Sequence, residues 1–513
     1  MTLSSDSNIT SMLDRAAARA GDRPALIFGN RTISFGDLQT GVARCAYQLR
    51  RCGLRAGERV ILMIPMSPDL YITLLGLIRS GAVAVFVDPW ISLRQIAAFA
   101  AFAEPSGFIG TPASHLLRLF NPRLAHLALT VSTGPTWFRL PARFELDSLL
   151  RGTSTLDPEP VSTETPALIT FTSGSSGTPK GANRTHGFLA AQYSALQTEL
   201  EVRADDVDMP MFPVFALRNL AAGVTSVIPD MDFRRPSAID PRRIAAQIRG
   251  SSVTLLTASP PFIDRLAAYG APISLRAIRT GGAPVSHVQL RQWQRAFPHT
   301  HIDILYGSTE AEPVSCISLQ ERLATPESGG YCCGKPTGLL RTRTIQIRPS
   351  PIAADELAAL TCRDGEIGEL IVSGSHVCRS YYNNPEAVRE NKIVSPDGTF
   401  WHRMGDTGYL DSEGRFFLTG RVHTTIRRNG KLLHAQLVEA EALRRLPKAR
   451  RVAALERNGK LVLVVQGPPV GNAAQILDSD EVVFTRKALP VDPRHNAKID
   501  YARVRALLDY GAL

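Results

Sequence analysis

Apolar and polar positions in the first 150 residues alternate between two periods. Arg59 to Pro65 is an almost continuous apolar run, the pattern of a buried strand. Ser67, Pro68 and Asp69 then supply an N-cap, a first-turn proline and an acid at the positive end of a helix dipole. Leu70, Leu74, Leu77 and Ile78 recur at helical spacing, Arg79 and Gly81 close the helix, and Ala82 to Asp88 returns as a strand. The unit reads βαβ. A second helix over Leu93 to Phe102 and a strand at Gly107 to Gly110 extend it, which predicts parallel sheet covered by helices.

Arg151 to Thr165 is rich in Ser, Thr, Pro and acids and reads as a connector. Beyond it, Ala167 to Phe171 is a strand, His186 to Leu200 has helical spacing, and Met209 to Leu220 is apolar but broken by Pro210 and Pro213. Further βα patterns cover Ser252 to Ala268 and Leu275 to Phe297. From Gly365 the segments shorten and Gly and Asp become frequent, as in antiparallel sheet, with strands at Glu369 to Ser373 and Phe416 to Thr419. Past Gly420 lies a small basic region whose clearest feature is a hairpin, Val452 to Leu455 and Leu461 to Val465 across Asn458-Gly459, followed by a helix from Asp500 to Leu508. The fold class is α/β.

Composition adds bounds. At 513 residues the chain exceeds one hydrophobic core, and 44% apolar with 20% charged residues is ordinary for a globular protein. The net charge of +11 is scattered, with no aromatic interleaving, so no nucleic-acid partner is expected and the charge suits anionic small molecules. Seven cysteines without a C-x-x-C pair point to neither a disulfide framework nor a zinc site. Residues 1–14 lack the pattern of a secretory signal and no run is long enough to span a bilayer, so a cytoplasmic location is expected, with peripheral membrane contact open if the substrate is a lipid.

The chemistry centres on Thr172-Ser173-Gly174-Ser175-Ser176-Gly177-Thr178-Pro179-Lys180-Gly181. Glycines let several N–H groups converge on one anion, and hydroxyls and a lysine add donors and charge. The composition is also that of a solvated linker, but the strand before it and Pro179-Lys180-Gly181 after it favour phosphate. The spacing is not that of a Walker loop. This stretch resembles the phosphate-binding signature of the adenylate-forming enzymes: acyl-CoA synthetases, peptide-synthetase adenylation domains and luciferases.

That resemblance extends over residues 8–508. Tyr306-Gly307-Ser308-Thr309-Glu310 resembles the family's second signature; it implies that Tyr306 lies against adenine, that Thr309 touches the phosphates, and that Glu310, with Thr172, holds Mg²⁺. Gly281-Gly282-Ala283-Pro284 resembles the adenine-side turn. Asp406, in Trp401-His-Arg-Met-Gly-Asp406, takes the place of the ribose-binding acid, and Arg421 follows at the hinge, where His423 departs from the usual acid or lysine. Lys498 takes the place of the C-terminal catalytic lysine, with Ala497 where glycine is usual; a cation bridging carboxylate and α-phosphate is what adenylation requires. The resemblance implies a large domain, 1–419, of βαβ sheets with an antiparallel subdomain, a hinge at 420–423, and a small mobile α+β domain, 424–513. ATP and Mg²⁺ are the implied cofactors.

The second half-reaction is read from three stretches, Phe212 to Leu217, Gly223 to Asp232 with Asp240-Pro241, and Val491 to Lys498, which look like the β-lactone synthetases of bacterial long-chain olefin biosynthesis. In that branch a long-chain β-hydroxy acid is adenylated and its own hydroxyl closes the lactone; Phe212, Phe215 and Leu217 would line an acyl pocket or simply pack in the core. The alternative is an acyl-CoA synthetase with CoA as second substrate, although Ala435 stands where that branch commonly has proline; Arg427, Arg428 and Lys431 would then face the anionic cofactor or be a solvated loop. A catalytically silent nucleotide-binding scaffold is the reading from another class. Pathway enzymes are possible partners.

Overall fold

In the computed structural model, residues 8–512 are described apart from 89–92, 135–141, 174–178, 271, 350 and 493–497. The architecture is mixed α/β, as the apolar periodicity predicts. One sheet runs in the order Phe144–Glu145, Leu129–Ser132, Gly107–Gly110, Arg59–Met63, Val83–Phe86, Pro166–Ser173, Pro179–Thr185, parallel except for its last pair. A second carries Leu255–Thr257, Ala277–Gly281 and His301–Ser308 in parallel, with Ala311–Ser318 antiparallel at its edge.

The helix Pro68–Arg79 starts where the sequence places it, with the Ser67 hydroxyl accepting from the Leu70 amide at 3.3 Å. It is buried on nearly every side rather than on one face. The reason is its place: its side chains share one core with Leu26 of the second sheet and with Val60, Leu62 and Leu168 of the first. Burial between two layers leaves no solvent face to be polar. Pro210 and Pro213 act as boundaries: the strand Val207–Pro210 ends at one, and the helix Pro213–Ala222 begins at the other.

The antiparallel part, Tyr331–Cys332, Phe416–Arg421, Phe400–Leu410, Gly368–Ser373 and Arg341–Ile345, packs across the ends of both parallel sheets. Isolated bridges Ala182↔Tyr381 and Ala311↔Val377 dock it to each of them. After Arg421 a short turn, Val422–Thr424, leads into a two-stranded ribbon, Thr425–Arg428 with Lys431–His434, and then into a three-stranded sheet packed with the helices Ala435–Arg445 and Tyr501–Asp509. Its hairpin, Arg451–Arg457 and Lys460–Gln466, turns with Asn458 and Gly459 both at positive φ (53° and 75°), the backbone that an Asn-Gly pair adopts at least cost.

Candidate active site

The phosphate-loop strand and the one after it form a hairpin. Thr172 pairs with Lys180 and Ser173 with Pro179, so Gly174, Ser175, Ser176, Gly177 and Thr178 make its loop; these five lie outside the described residues. Lys180 is buried, with Nζ 3.4 Å from Glu390 Oε2 and 6.0 Å from the centre of the Tyr381 ring.

Strand His301–Ser308 carries Tyr306 and Gly307 to the same end. Gly307 packs so closely on the returning strand that a Cβ there would meet the Ala311 carbonyl at 2.8 Å, which is why the turn needs glycine. Gly282 holds φ 82° in the neighbouring turn, with Ala283 after it. The Tyr306 hydroxyl donates to Asp406 Oδ2 at 2.8 Å, and its ring stacks on Phe416 with centroids 5.5 Å apart. Arg421 Nη1 donates to Asp406 Oδ1 at 2.7 Å. Burial, then the Asp406 charge, pushes the Tyr306 phenol well above its ordinary value, so it stays a donor. Each carboxylate oxygen of Asp406 thus has one partner and a further lone pair for a ribose hydroxyl.

Glu310 is buried. Its Oε1 accepts from the Tyr381 hydroxyl at 3.0 Å, and its carbonyl accepts from the Cys378 amide at 2.7 Å. Burial opposes its ionised form, but the Lys392 ammonium and the Tyr381 hydroxyl outweigh that and hold the carboxyl below its usual range. Burial, with the Lys392 charge, pushes the His402 imidazole down to about 3. Lys392 donates to the Cys378 carbonyl and lies 5.2 Å from the centre of the Tyr381 ring. One ionised carboxylate suits Mg²⁺, which takes one or two protein carboxylates and completes its shell with water and substrate phosphates; among the described residues no group of three His, Cys, Asp or Glu gathers into a metal cage.

Thr309 offers its carbonyl to Arg184 Nη2 at 2.9 Å. Arg184 also lines an apolar cavity between helices, walled by Leu75, Ile78, Leu189, Leu196 and Leu217. Leu217 is one of the residues named for an acyl pocket, and it lines this cavity. Phe212 and Phe215 do not line that cavity; they pack with Leu196, Leu200 and Leu305, because their helix turns those positions toward the second sheet.

Lys498 precedes Ile499, which bridges to Val491. Lys498 is exposed, and its amide donates to Asp492 Oδ1 at 2.8 Å within the tail of the small domain. The small-domain residue that reaches the Asp406 strand is His434, whose Nδ1 lies 3.2 Å from Thr407 Oγ1. Tyr381, Lys392 and His402 went unmarked in the sequence. The only signal was a lysine in a chain with eight of them and a histidine beside Asp406.

Residues 13–382 match the family described as AMP-binding enzyme. The chain is 32% identical to an olefin beta-lactone synthetase of Stenotrophomonas maltophilia, over 94% of this chain and 93% of that one. It is 28% identical to a feruloyl-CoA synthase of an Amycolatopsis species, over 83% and 81%. An ATP-bound RpMatB-BxBclM chimera has the same fold, with a TM-score of 0.82 at 20% identity over 99% of this chain and 100% of that one. The chain belongs to the AMP-binding, adenylate-forming enzyme family.

Proposed function

We propose that the enzyme activates a long-chain β-hydroxy acid as its acyl adenylate and then closes it to a β-lactone. The observation that carries this is the apolar cavity walled in part by Arg184, whose guanidinium also holds the Thr309 carbonyl beside Glu310: an alkyl chain there leaves its carboxylate facing the nucleotide cluster. In the first step a carboxylate oxygen attacks the α-phosphorus and pyrophosphate leaves. Asp406 and Tyr306 orient the nucleoside, and Lys180 with the loop 172–178 holds the phosphates. Mg²⁺, held by Glu310 and the Thr172 hydroxyl, would neutralise phosphate charge. Lys498 bridges the two anions after the small domain rotates about the 420–423 hinge. In the second step the β-hydroxyl oxygen attacks the acyl carbon, AMP leaves, and the hydroxyl proton is released. The nucleophile is already attached, so the site needs only to hold it close and exclude water.

Purified enzyme with Mg-ATP and a 2-alkyl-3-hydroxy acid, without CoA, releases pyrophosphate and AMP and yields a product of the lactone's mass. A product that forms only when CoA is added supports the thioester reading instead.

A further inference from the structure

Helix Pro112–Leu119 is built inside out. Its polar residues face inward: His115 and Arg118 are almost wholly buried, with His115 Nε2 donating to the Val131 carbonyl at 2.9 Å and Arg118 Nη1 to the Leu124 and Ala125 carbonyls at 2.8 Å each. Two of its three leucines face outward, while Leu117 packs partly buried against the core. Leu116 is 48% exposed, Leu119 40%, and Phe120, at the C-cap, 75%. Positions 116, 119 and 120 fall on one helical face, so the three form a single apolar patch. Scattered exposed leucines are unremarkable, but a short helix that spends its interior on an arginine and a histidine while presenting Leu, Leu and Phe to water is arranged for an outside apolar phase.

The charge around the patch selects that phase. The forty residues from Pro105 to Phe144 contain no aspartate or glutamate, and Arg123 and Arg143 among them are exposed. Arg123 and His126, in the segment directly after the patch, are exposed. Three side chains fall far short of the ~800 Å² per partner that a stable protein interface buries. Apolar side chains beside cations, on a segment without acids, match the boundary between acyl chains and anionic headgroups. The helix also leaves the same end of its parallel sheet as the phosphate-loop strand, since Gly107–Gly110 and Pro166–Ser173 run parallel.

We propose that Leu116, Leu119 and Phe120, with Arg123 beside them, dock the enzyme reversibly on an anionic lipid surface. No helix among the described residues is long and apolar enough to cross a membrane, so this contact is peripheral.

The test is co-sedimentation of the full chain with vesicles of phosphatidylcholine alone and of phosphatidylcholine mixed with phosphatidylglycerol. The wild type pellets with the mixed vesicles and much less with the neutral ones. Leu116→Ser/Phe120→Ser weakens the mixed-vesicle binding by about tenfold or more, and Arg123→Glu weakens it while high salt erases the difference. Both variants keep their turnover of a short, water-soluble acid, which shows that they are folded. Absence of wild-type binding to either vesicle overturns the proposal, as does binding that the double variant leaves unchanged. A wild-type dimer in light scattering that the double variant dissolves would assign the patch to a second copy of the chain and overturn it equally.

Discussion

Asp406 and Arg421 face each other across an antiparallel ladder as paired residues, and their side chains close the pair at 2.7 Å while the Tyr306 hydroxyl takes the other carboxylate oxygen at 2.8 Å. The Asp406 carboxylate, proposed to hold the ribose, is therefore set by two strands of one sheet and a strand of another before any nucleotide arrives. Preorganised acceptors cost no rearrangement on binding. Asp406→Asn removes the charge but keeps the shape. It should weaken ATP binding, measured by calorimetry, by roughly 10- to 100-fold, the range of a lost charge-assisted hydrogen bond or two.

Tyr381 joins two functions, since its hydroxyl holds Glu310 while Lys180 and Lys392 lie near its ring. Tyr381→Phe keeps the ring and frees Oε1. The Mg²⁺ concentration for half-maximal pyrophosphate release should rise several-fold, while metal-free AMP binding stays unchanged. An unaltered Mg²⁺ requirement would show that the hydroxyl does not position the carboxylate.

Lys498 is exposed, with its amide bonded to Asp492. Lys498→Ala should abolish ATP–pyrophosphate exchange and leave ATP affinity within about twofold, the split expected of the proposed bridging cation, which acts in the transition state. Exchange at the wild-type rate would remove it from the mechanism.

Leu217 faces the apolar cavity. Leu217→Trp fills part of it, so KM for long-chain acids should rise at least about tenfold, the cost of over-packing by ~1.4 kcal/mol or more, with short acids unaffected.

Glu439 sits buried in the small domain, where its Oε1 accepts from the Tyr501 hydroxyl at 2.8 Å and the Ala454 amide at 3.0 Å. Burial pushes its carboxyl up from 4.5 to about 8. A carboxyl raised in the folded state binds a proton that the unfolded chain has lost, so this contribution to stability is complete below pH 4.5 and is lost as pH rises through about 8. Melting temperature should fall over that window, and Glu439→Gln should flatten the fall.

Elements and turns were legible because they depend on neighbours in sequence. Ser67-Pro68 starts a helix through its own side chain and ring, Asn458-Gly459 turns a hairpin through its own φ angles, and Gly107–Gly110 is a strand with the bounds that its pattern predicts. Signature residues such as Tyr306, Glu310 and Asp406 were legible too, through resemblance. Tertiary structure alone decided which groups meet. Tyr381, Lys392 and His402 surround Glu310 from strands and loops 71 to 92 residues further on, and no local rule relates such separations. It likewise put Phe215 in the core and Leu217 on the cavity, two residues apart on one helix, because the packing of the second sheet against that helix fixes which face is covered. Local propensity is a property of a few adjacent residues; burial and electrostatic environment belong to the whole packed molecule.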